Sequence, residues 1–348
     1  VKHFIDNIAS IIKGKPLCTH NNALIEHLLI DSRKLIFPST TLFFALKGPR
    51  RDGHAFIDSL YQKGVRNFVV SDTVDTERLP QSNVLQVPDT LQALQTLACW
   101  HRRQFSIPVI GITGSNGKTI VKEWLNQLLE ERYNIVRNPK SYNSQIGVPL
   151  SVWPMNEQHE LAIFEAGISQ PGEMERLQKI IQPTIGVFTN IGEAHSEGFV
   201  NIRQKVNEKL RLFTHVQTLI YCKDDPEINS GVASLWQQLP NNKRFEIFSW
   251  SLVTDATLRI HEIVKNGAAT TITAGYDQEI IRITIPFTDN ASVENAIHCW
   301  CVLLHLRVPQ AVIERLMLQL GAVAMRLELK KGINNCSVIN DSYSADLS

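Results

Sequence analysis

Val109-Ile-Gly-Ile-Thr-Gly-Ser-Asn-Gly-Lys-Thr119 is the stretch on which the reading of this chain turns. A β-branched, apolar run (Val109 to Thr113) passes through glycines into Lys118-Thr119, and apolar residues then recur at helical spacing from Thr119 to Glu131. Strand, glycine turn and helix in that order form a phosphate cradle. Glycines let backbone N–H groups turn inward, the helix N-terminus adds its positive dipole end, a lysine reaches the β- and γ-phosphates, and a hydroxyl ligates Mg²⁺. The expected nucleotide-binding residues are therefore Gly114, Ser115, Asn116, Gly117, Lys118 and Thr119. The spacing departs from strict G-x-x-x-x-G-K-[ST]: Ile112 stands where the first glycine belongs, with Gly111 and Gly114 nearby. A chance glycine turn is the bland alternative, but it does not explain strand, lysine, hydroxyl and helix arriving in order.

Outward from the loop the alternation continues. Strand-like 161–165 precedes a helical stretch over 172–181, 185–189 precedes one over 202–213, and another strand follows at 218–221. Apolar strands separated by helices of that length imply right-handed crossovers and a parallel sheet covered on both faces, a doubly wound α/β P-loop domain. Between 256 and 287 the period drops to two, with turns near Asn266-Gly267 and Gly275-Tyr276-Asp277, so antiparallel strands are expected to extend the sheet. Helices over 292–306 and 309–320 close it. Upstream, short strands (42–46, 67–70, 83–87) and a helix over 90–103 read as a small separate α/β domain. The expected division is 1–103, 104–320 and, from Gly321, the opening of a third α/β domain over 321–348 that is otherwise missing.

Composition narrows the classes of function. With 43% hydrophobic residues in 348, the chain has material for more than one core. Lys plus Arg number 35 against 34 Asp plus Glu, which gives no field for nucleic acid or an anionic membrane surface. The apolar stretch 296–306 is broken by His298 and His305 and falls short of the roughly 20 residues of a membrane span. The opening Val-Lys-His-Phe-Ile-Asp lacks the progression of a secretion signal. Six cysteines without a C-x-x-C pair argue against a zinc ribbon or a disulfide framework, and reduced, mostly buried thiols in a cytoplasmic protein are expected.

Glu165 closes one strand and His195 lies just past another, at the carboxyl ends where open parallel sheets bind ligands. A carboxylate and an imidazole beside the phosphate loop could hold Mg²⁺, although Mg²⁺ prefers oxygen, and an isolated histidine there is more often a surface or capping group.

Thr113-Gly-Ser-Asn-Gly-Lys-Thr119 resembles the T-G-T-N-G-K-T signature of Mur ligases and their folylpolyglutamate synthetase relatives. Asp31-Ser-Arg33, Leu42-Phe-Phe-Ala-Leu-Lys-Gly48 and Asp52-Gly-His-Ala-Phe56 look like the UDP-binding domain of Mur ligases that act on muramoyl dipeptide and tripeptide. Ser141-Tyr-Asn-Ser-Gln-Ile-Gly-Val-Pro-Leu150 and Glu165-Ala-Gly-Ile-Ser-Gln-Pro-Gly-Glu173 look like the branch of the family that adds D-alanyl-D-alanine. Asn190-Ile-Gly-Glu-Ala-His-Ser-Glu-Gly-Phe199 resembles its metal-site loop, Glu294-Asn-Ala296 its adenine-contacting helix start, and Val338-Ile-Asn-Asp-Ser-Tyr343 the opening of its C-terminal domain.

The resemblance implies an ATP- and Mg²⁺-dependent amide ligase of cell-wall synthesis, joining D-alanyl-D-alanine to UDP-N-acetylmuramoyl tripeptide through an acyl phosphate. It gives Lys118 and Thr119 to phosphates and Mg²⁺, Glu165 and His195 to metal, Asn295 to adenine, and Arg326 and Asp341 to ribose or phosphates. Lys209, with Lys205 one turn earlier as the alternative, is implied as a CO₂-carbamylated metal ligand, while spacing alone suits a solvated helix lysine. Arg211 departs from the family, which often has glutamate there. Ser32, Arg33, Lys47, Gly48 and His54 are implied in the UDP-sugar site and Asn143 near the γ-phosphate or acceptor, although simple turn chemistry would also explain the first five. Some members of the family are fused to alanine racemase, so a covalent fusion partner is an open expectation. Competing expectations are a ligase with another acceptor, a nucleotide-hydrolysing switch that ignores muramoyl peptides, and, remotely, a Rossmann oxidoreductase, for which G-x-G-x-x-G is absent.

Overall fold

The structure is a computed structural model describing residues 2–49, 51–192, 198–323, 328–331, 333 and 336–340. Two units emerge, Val1–Ser106 with Gln145–Glu157, and Ile107–Ser144 with Gln158–Ser348.

The first unit runs β1 (His3–Phe4), α1 (Ile5–Ile12), β2 (Lys15–Cys18), β3 (Leu24–Ile25), β4 (His27–Leu29), β5 (Thr41–Phe44), α2 (Ile57–Gln62), β6 (Asn67–Val70), β7 (Asn83–Gln86) and α3 (Thr90–Arg102). Its sheet has the order β2-β7-β6-β5-β4, parallel except for β2 at one edge. The period of two sorts the strands into two cores. Leu42, Phe44, Val69 and Leu85 pack on Ile5, Ile8 and Ile12 of α1 and on Leu94 and Leu97 of α3. Phe43, Phe68 and Val84 face the other way, onto Ile57 and Leu60 of α2. Asp89 starts α3 by accepting from the amides of Leu91 and Gln92, satisfying two donors that a helix start leaves open. Because β4, β5 and β6 are parallel, the turns leaving their carboxyl ends share one edge, and those turns carry Ser32-Arg33, Lys47-Gly48 and Asp72.

The second unit begins with β8 (Val109–Thr113), α4 (Lys118–Leu129) and β9 (Ile135–Arg137). The chain then gives α5 (Gly147–Val152) to the first unit. It returns through β10 (Leu161–Glu165), α6 (Glu173–Ile181), β11 (Ile185–Phe188), α7 (Ile202–Leu210) with a 3₁₀ turn at Arg211–Phe213, β12 (Thr218–Cys222), α8 (Pro226–Gln238) and β13 (Glu246–Ser251). β14 (Leu258–Asn266), β15 (Ala269–Tyr276), β16 (Glu279–Ile285), α9 (Asn290–His305), α10 (Gln310–Met317) and an antiparallel hairpin of β17 (Glu328–Lys331) and β18 (Ser337–Asn340) complete it. Nine strands form one sheet in the order β16-β15-β14-β13-β12-β11-β8-β10-β9. It is parallel from β9 to β14 and antiparallel over the last three, as the change of period requires. β8 lies between β10 and β11, with Ile112 opposite Glu165 and Thr113 opposite Phe188, so three carboxyl ends open side by side. Trp124, Leu125 and Leu128 of α4 and Ala296, Trp300 and Leu303 of α9 bury against this sheet.

Three sequence expectations change. The expected division at 103/104 overlooks residues 145–157, which cluster with the first unit because Trp153 is held there. Its indole donates to Glu26 O at 2.8 Å and its ring lies 4.5 Å from His3 and 4.8 Å from His101. β9, α5, α8 and β13 are also present where none was expected. Of the six cysteines only Cys299 and Cys301 are buried; Cys18, Cys99 and Cys222 are intermediate and Cys336 exposed. Trp153→Ala should remove the indole hydrogen bond together with a large buried ring. We expect the first unit to lose about 3–5 kcal/mol, read as a lower urea midpoint in a fluorescence-monitored transition.

Candidate active site

The loop after β8 takes its shape from two glycines and from the residues that follow β11. Gly114 (φ 151°) and Gly117 (φ 80°) hold backbone that L side chains rarely adopt. A Cβ on Gly114 would strike Thr189, and one on Gly117 would strike Asn295 of α9. Ser115 N donates to Asn190 O at 2.9 Å, Asn116 N to Asn190 Oδ1 at 2.8 Å, and Thr189 Oγ1 to Asn116 O at 2.6 Å. The loop is thus braced by the segment that follows β11, and Asn295 of α9 lies against Gly117.

Two lysines converge on this loop and a third on the segment after β11 that braces it. Lys118 Nζ donates to Gly114 O at 2.9 Å and Ser115 O at 2.6 Å, Lys209 Nζ to Gly114 O at 2.8 Å, and Lys205 Nζ to Gly192 O at 2.5 Å. Lys205 and Lys209 are buried on α7, so neither is the solvated helix lysine that spacing favours. Burial, then the neighbouring Lys118 and Lys205 ammonium groups, push Lys209 well below the ordinary lysine range. Positive charge gathered in a poorly solvated site is matched to an incoming polyanion.

Two buried, oxygen-bearing side chains lie beside the same loop. Thr119 Oγ1 donates to Glu165 Oε2 at 2.9 Å and is 3.1 Å from Ser141 Oγ. Thr119 and Glu165 are both buried, and a hydroxyl beside a carboxylate is a donor set that a hard, oxygen-seeking divalent cation accepts. Asn143 O accepts from Gly167 N at 2.9 Å, bringing the 141–143 segment to the loop after β10. His195, Arg326 and Asp341, expected at metal and nucleotide, lie outside the described residues.

Three buried side chains here, Glu208, Lys122 and Asn138, escaped sequence reasoning. Glu208 Oε1 accepts from Gly172 N at 2.7 Å and Met174 N at 3.2 Å, capping α6 from the helix that bears Lys209. Arg211 Nε lies 3.2 Å from Glu208 Oε2 and Nη1 3.7 Å from Glu175, which gives the family departure at 211 a physical partner. Lys122 lies one turn after Lys118 on α4.

In the first unit the expected UDP-sugar residues fall on the shared edge but are engaged with neighbouring residues outside that set. Arg33 pairs with Asp31 through Nε at 2.9 Å and Nη2 at 2.8 Å, and Lys47 with Asp72 at 2.8 Å. Ser32 starts the 3₁₀ turn capped by Asp31, and Gly48 N donates to Arg51 O at 2.9 Å. Arg33 holds the Asp31 carboxyl down at about 2. Asp52, His54 and Asp72 bring potential ligand atoms within 4.8 Å of one another. His54 Nε2, however, accepts the amides of Ser71 at 3.0 Å and Asp72 at 3.2 Å, leaving Nδ1–H for Asp52 at 2.6 Å. That network assigns the tautomer and occupies both ring nitrogens, so the cluster is a folded turn.

Residues 112–303 match the Mur ligase middle domain, and 24–102 match the domain described as Mur ligase family, catalytic domain. The chain belongs to the Mur ligase family. Within that family it is similar to the UDP-N-acetylmuramoyl-tripeptide--D-alanyl-D-alanine ligase of Bacillus subtilis, 29% identical over 99% of this chain and 73% of that protein. Among solved structures it superposes on MurF from Acinetobacter baumannii with a TM-score of 0.87 at 25% identity, covering 99% of this chain and 74% of the other. It also shares its fold with the Mur ligase MurF of Thermotoga maritima, solved in complex with ADP, at TM-score 0.78 and 23% identity over 92% of this chain and 71% of that one. Among the described residues of this Mur ligase family member no helix is long and apolar enough to cross a membrane.

Proposed function

We propose that this Mur ligase family member joins D-alanyl-D-alanine to UDP-N-acetylmuramoyl tripeptide at the expense of ATP, in the cytoplasm where ATP is supplied. The observation that carries the reading is the phosphate loop with Lys118, Lys205 and Lys209 around it and the Thr119–Glu165 pair at 2.9 Å beneath. Such a site has charge for a triphosphate and buried oxygens for Mg²⁺. A carboxylate is a poor electrophile, so the chemistry must bring two anions together and create a leaving group. A tripeptide carboxylate oxygen bonds to the γ-phosphorus as the bridging P–O bond to ADP breaks. The dipeptide amine then attacks the acyl carbon, a tetrahedral adduct collapses, and phosphate leaves as the nitrogen gives up its proton.

This chain's residues serve that sequence by charge and position more than by nucleophilic attack. Gly114, Ser115, Asn116, Gly117 and Lys118 hold phosphates, Asn295 reads adenine, and Arg326 and Asp341 are assigned to ribose or phosphates. Thr119, Glu165, His195 and a carbamylated Lys209 would hold Mg²⁺, which when bound screens the repulsion between the anions. Asn143 is assigned to the γ-phosphate or the acceptor, and Ser32, Arg33, Lys47, Gly48 and His54 take the UDP-sugar, with Arg33 and Lys47 exchanging their present carboxylates for ligand phosphates.

Calorimetric titration of the chain with UDP-N-acetylmuramoyl tripeptide, and separately with Mg²⁺ and a non-hydrolysable ATP analogue, tests the reading. Arg33→Ala should weaken the muramoyl ligand at least tenfold and leave the nucleotide untouched; Lys118→Ala should do the reverse. Nucleotide binding with no affinity for the muramoyl tripeptide would overturn the substrate assignment and favour a switch.

A further inference from the structure

Lys122 is fully buried, an unusual place for an ammonium group. Its Nζ donates to Asn138 O at 2.8 Å and to Lys140 O, and lies 3.1 Å from Glu123 Oε1 and 4.0 Å from Glu165 Oε1. Asn138, itself buried, works in the other direction. Its Oδ1 accepts from Glu165 N at 2.7 Å and its Nδ2 donates to Tyr142 O at 2.7 Å. The segment continues to Ser141, 3.1 Å from Thr119 Oγ1, and to Asn143, whose carbonyl takes Gly167 N at 2.9 Å. Residues 138–143 are therefore a clasp between α4 and the end of β10, fastened from α4 by Lys122 at Asn138 and Lys140 and by Thr119 at Ser141. An apolar residue would fill the same volume without burying charge. What Lys122 adds is directed donors for two carbonyls and a cation beside a buried carboxylate.

We infer that Lys122 is a positioning residue of the nucleotide–metal site. It fixes the 138–143 clasp against the P-loop helix and stands as counter-charge to Glu165, so that the Thr119 hydroxyl and the Glu165 carboxylate are presented together. The inference rests on the proposed ATP reading only where nucleotide is used, and its first test needs none.

Hydrogen exchange is measured on the wild-type chain, Lys122→Met and Lys122→Gln. The amides of Glu165 and Gly167, whose acceptors are Asn138 Oδ1 and Asn143 O, should exchange at least tenfold faster in both variants while β8 amides keep their protection. Unchanged exchange at Glu165 and Gly167 in a folded variant overturns the inference, and Lys122→Gln, which keeps a donor, decides if Lys122→Met does not fold. The second test is the tightening of a non-hydrolysable ATP analogue by Mg²⁺. Both variants should lose at least tenfold of that tightening, with Mg²⁺-free affinity within threefold of wild type. Ser141→Ala should add little in the Lys122→Gln background, since the clasp is already released. Full Mg²⁺ tightening in the variants, or independent addition of the two substitutions, overturns the inference. A wild-type chain that binds no nucleotide counts against the ATP reading instead, and the exchange result then decides Lys122.

Discussion

Lys209→Met is expected to lower amide formation by two orders of magnitude or more, about 3 kcal/mol in the barrier, with the fold intact. Methionine preserves most of the buried stem, so packing on α7 should survive. What is lost is an amine that burial and the Lys118 and Lys205 ammonium groups keep well below the ordinary lysine range. Below that range a larger fraction of the amine is neutral near pH 7, and only a neutral amine can attack CO₂. The resulting carbamate would place a negative charge beside the Lys118 and Lys205 ammonium groups, an attraction in place of their mutual crowding, and would offer oxygen to Mg²⁺. Wild-type chain in ¹³C-bicarbonate should therefore show a carbamate carbon resonance that Lys209→Met lacks. The same resonance persisting in Lys209→Met but vanishing in Lys205→Met would move the assignment one turn earlier. Full activity in Lys209→Met would remove the modified lysine from the reaction.

Acid should destabilise both units well above the carboxylate range. Burial holds His3 and His101 in the first unit and His298 in the second at about 4, against an ordinary histidine value of 6.5. The sign follows from which state takes the proton. Above pH 6.5 these rings are neutral folded and unfolded, and stability is fully present. Between 6.5 and 4 the unfolded chain binds protons that the folded chain refuses, so stability falls by about 1.4 kcal/mol per pH unit for each ring. Below about 4 the folded rings protonate too and this loss stops growing. For His101 and His298 the window amounts to about 3 kcal/mol each. His3 faces His101 at 4.9 Å between ring centroids, so their protonations oppose each other. Urea unfolding at pH 7.0, 6.0 and 5.0 should show a falling midpoint, with His298→Gln flattening the second unit's share. A pH-independent midpoint over that range would mean the rings are protonated in the folded chain.

The parts of this molecule that sequence reveals are those with a period or a fixed grammar. β8, its loop and α4 are legible because strand, glycines, lysine and helix follow in order, and Glu165 because it ends a strand. The last three strands of the sheet are legible because their period drops to two. β9 spans only Ile135–Arg137, too short to show any period, and α5 carries a glycine and a proline within Gly147–Val152. The start of α8 did carry a signal, Asp225 capping ahead of Pro226 at the first position, that apolar periodicity alone passes over. At the site, Lys122, Asn138 and Glu208 were hidden for one shared reason. Each satisfies buried backbone groups 16 or more residues away, and that pairing has no local pattern.

A sheet nine strands wide must stop somewhere, and β16 is where it stops on one side. An outermost strand exposes amides and carbonyls ready to recruit another chain, and Ile280 beside them is exposed. Gln310, at the start of α10, places its side-chain amide on the Arg282 carbonyl at 2.7 Å, while Glu279 and Arg282 put charge along the same strand. One glutamine thus covers a backbone carbonyl of the outermost strand, so a side chain from a helix shares with the strand's own charges the guarding of this edge.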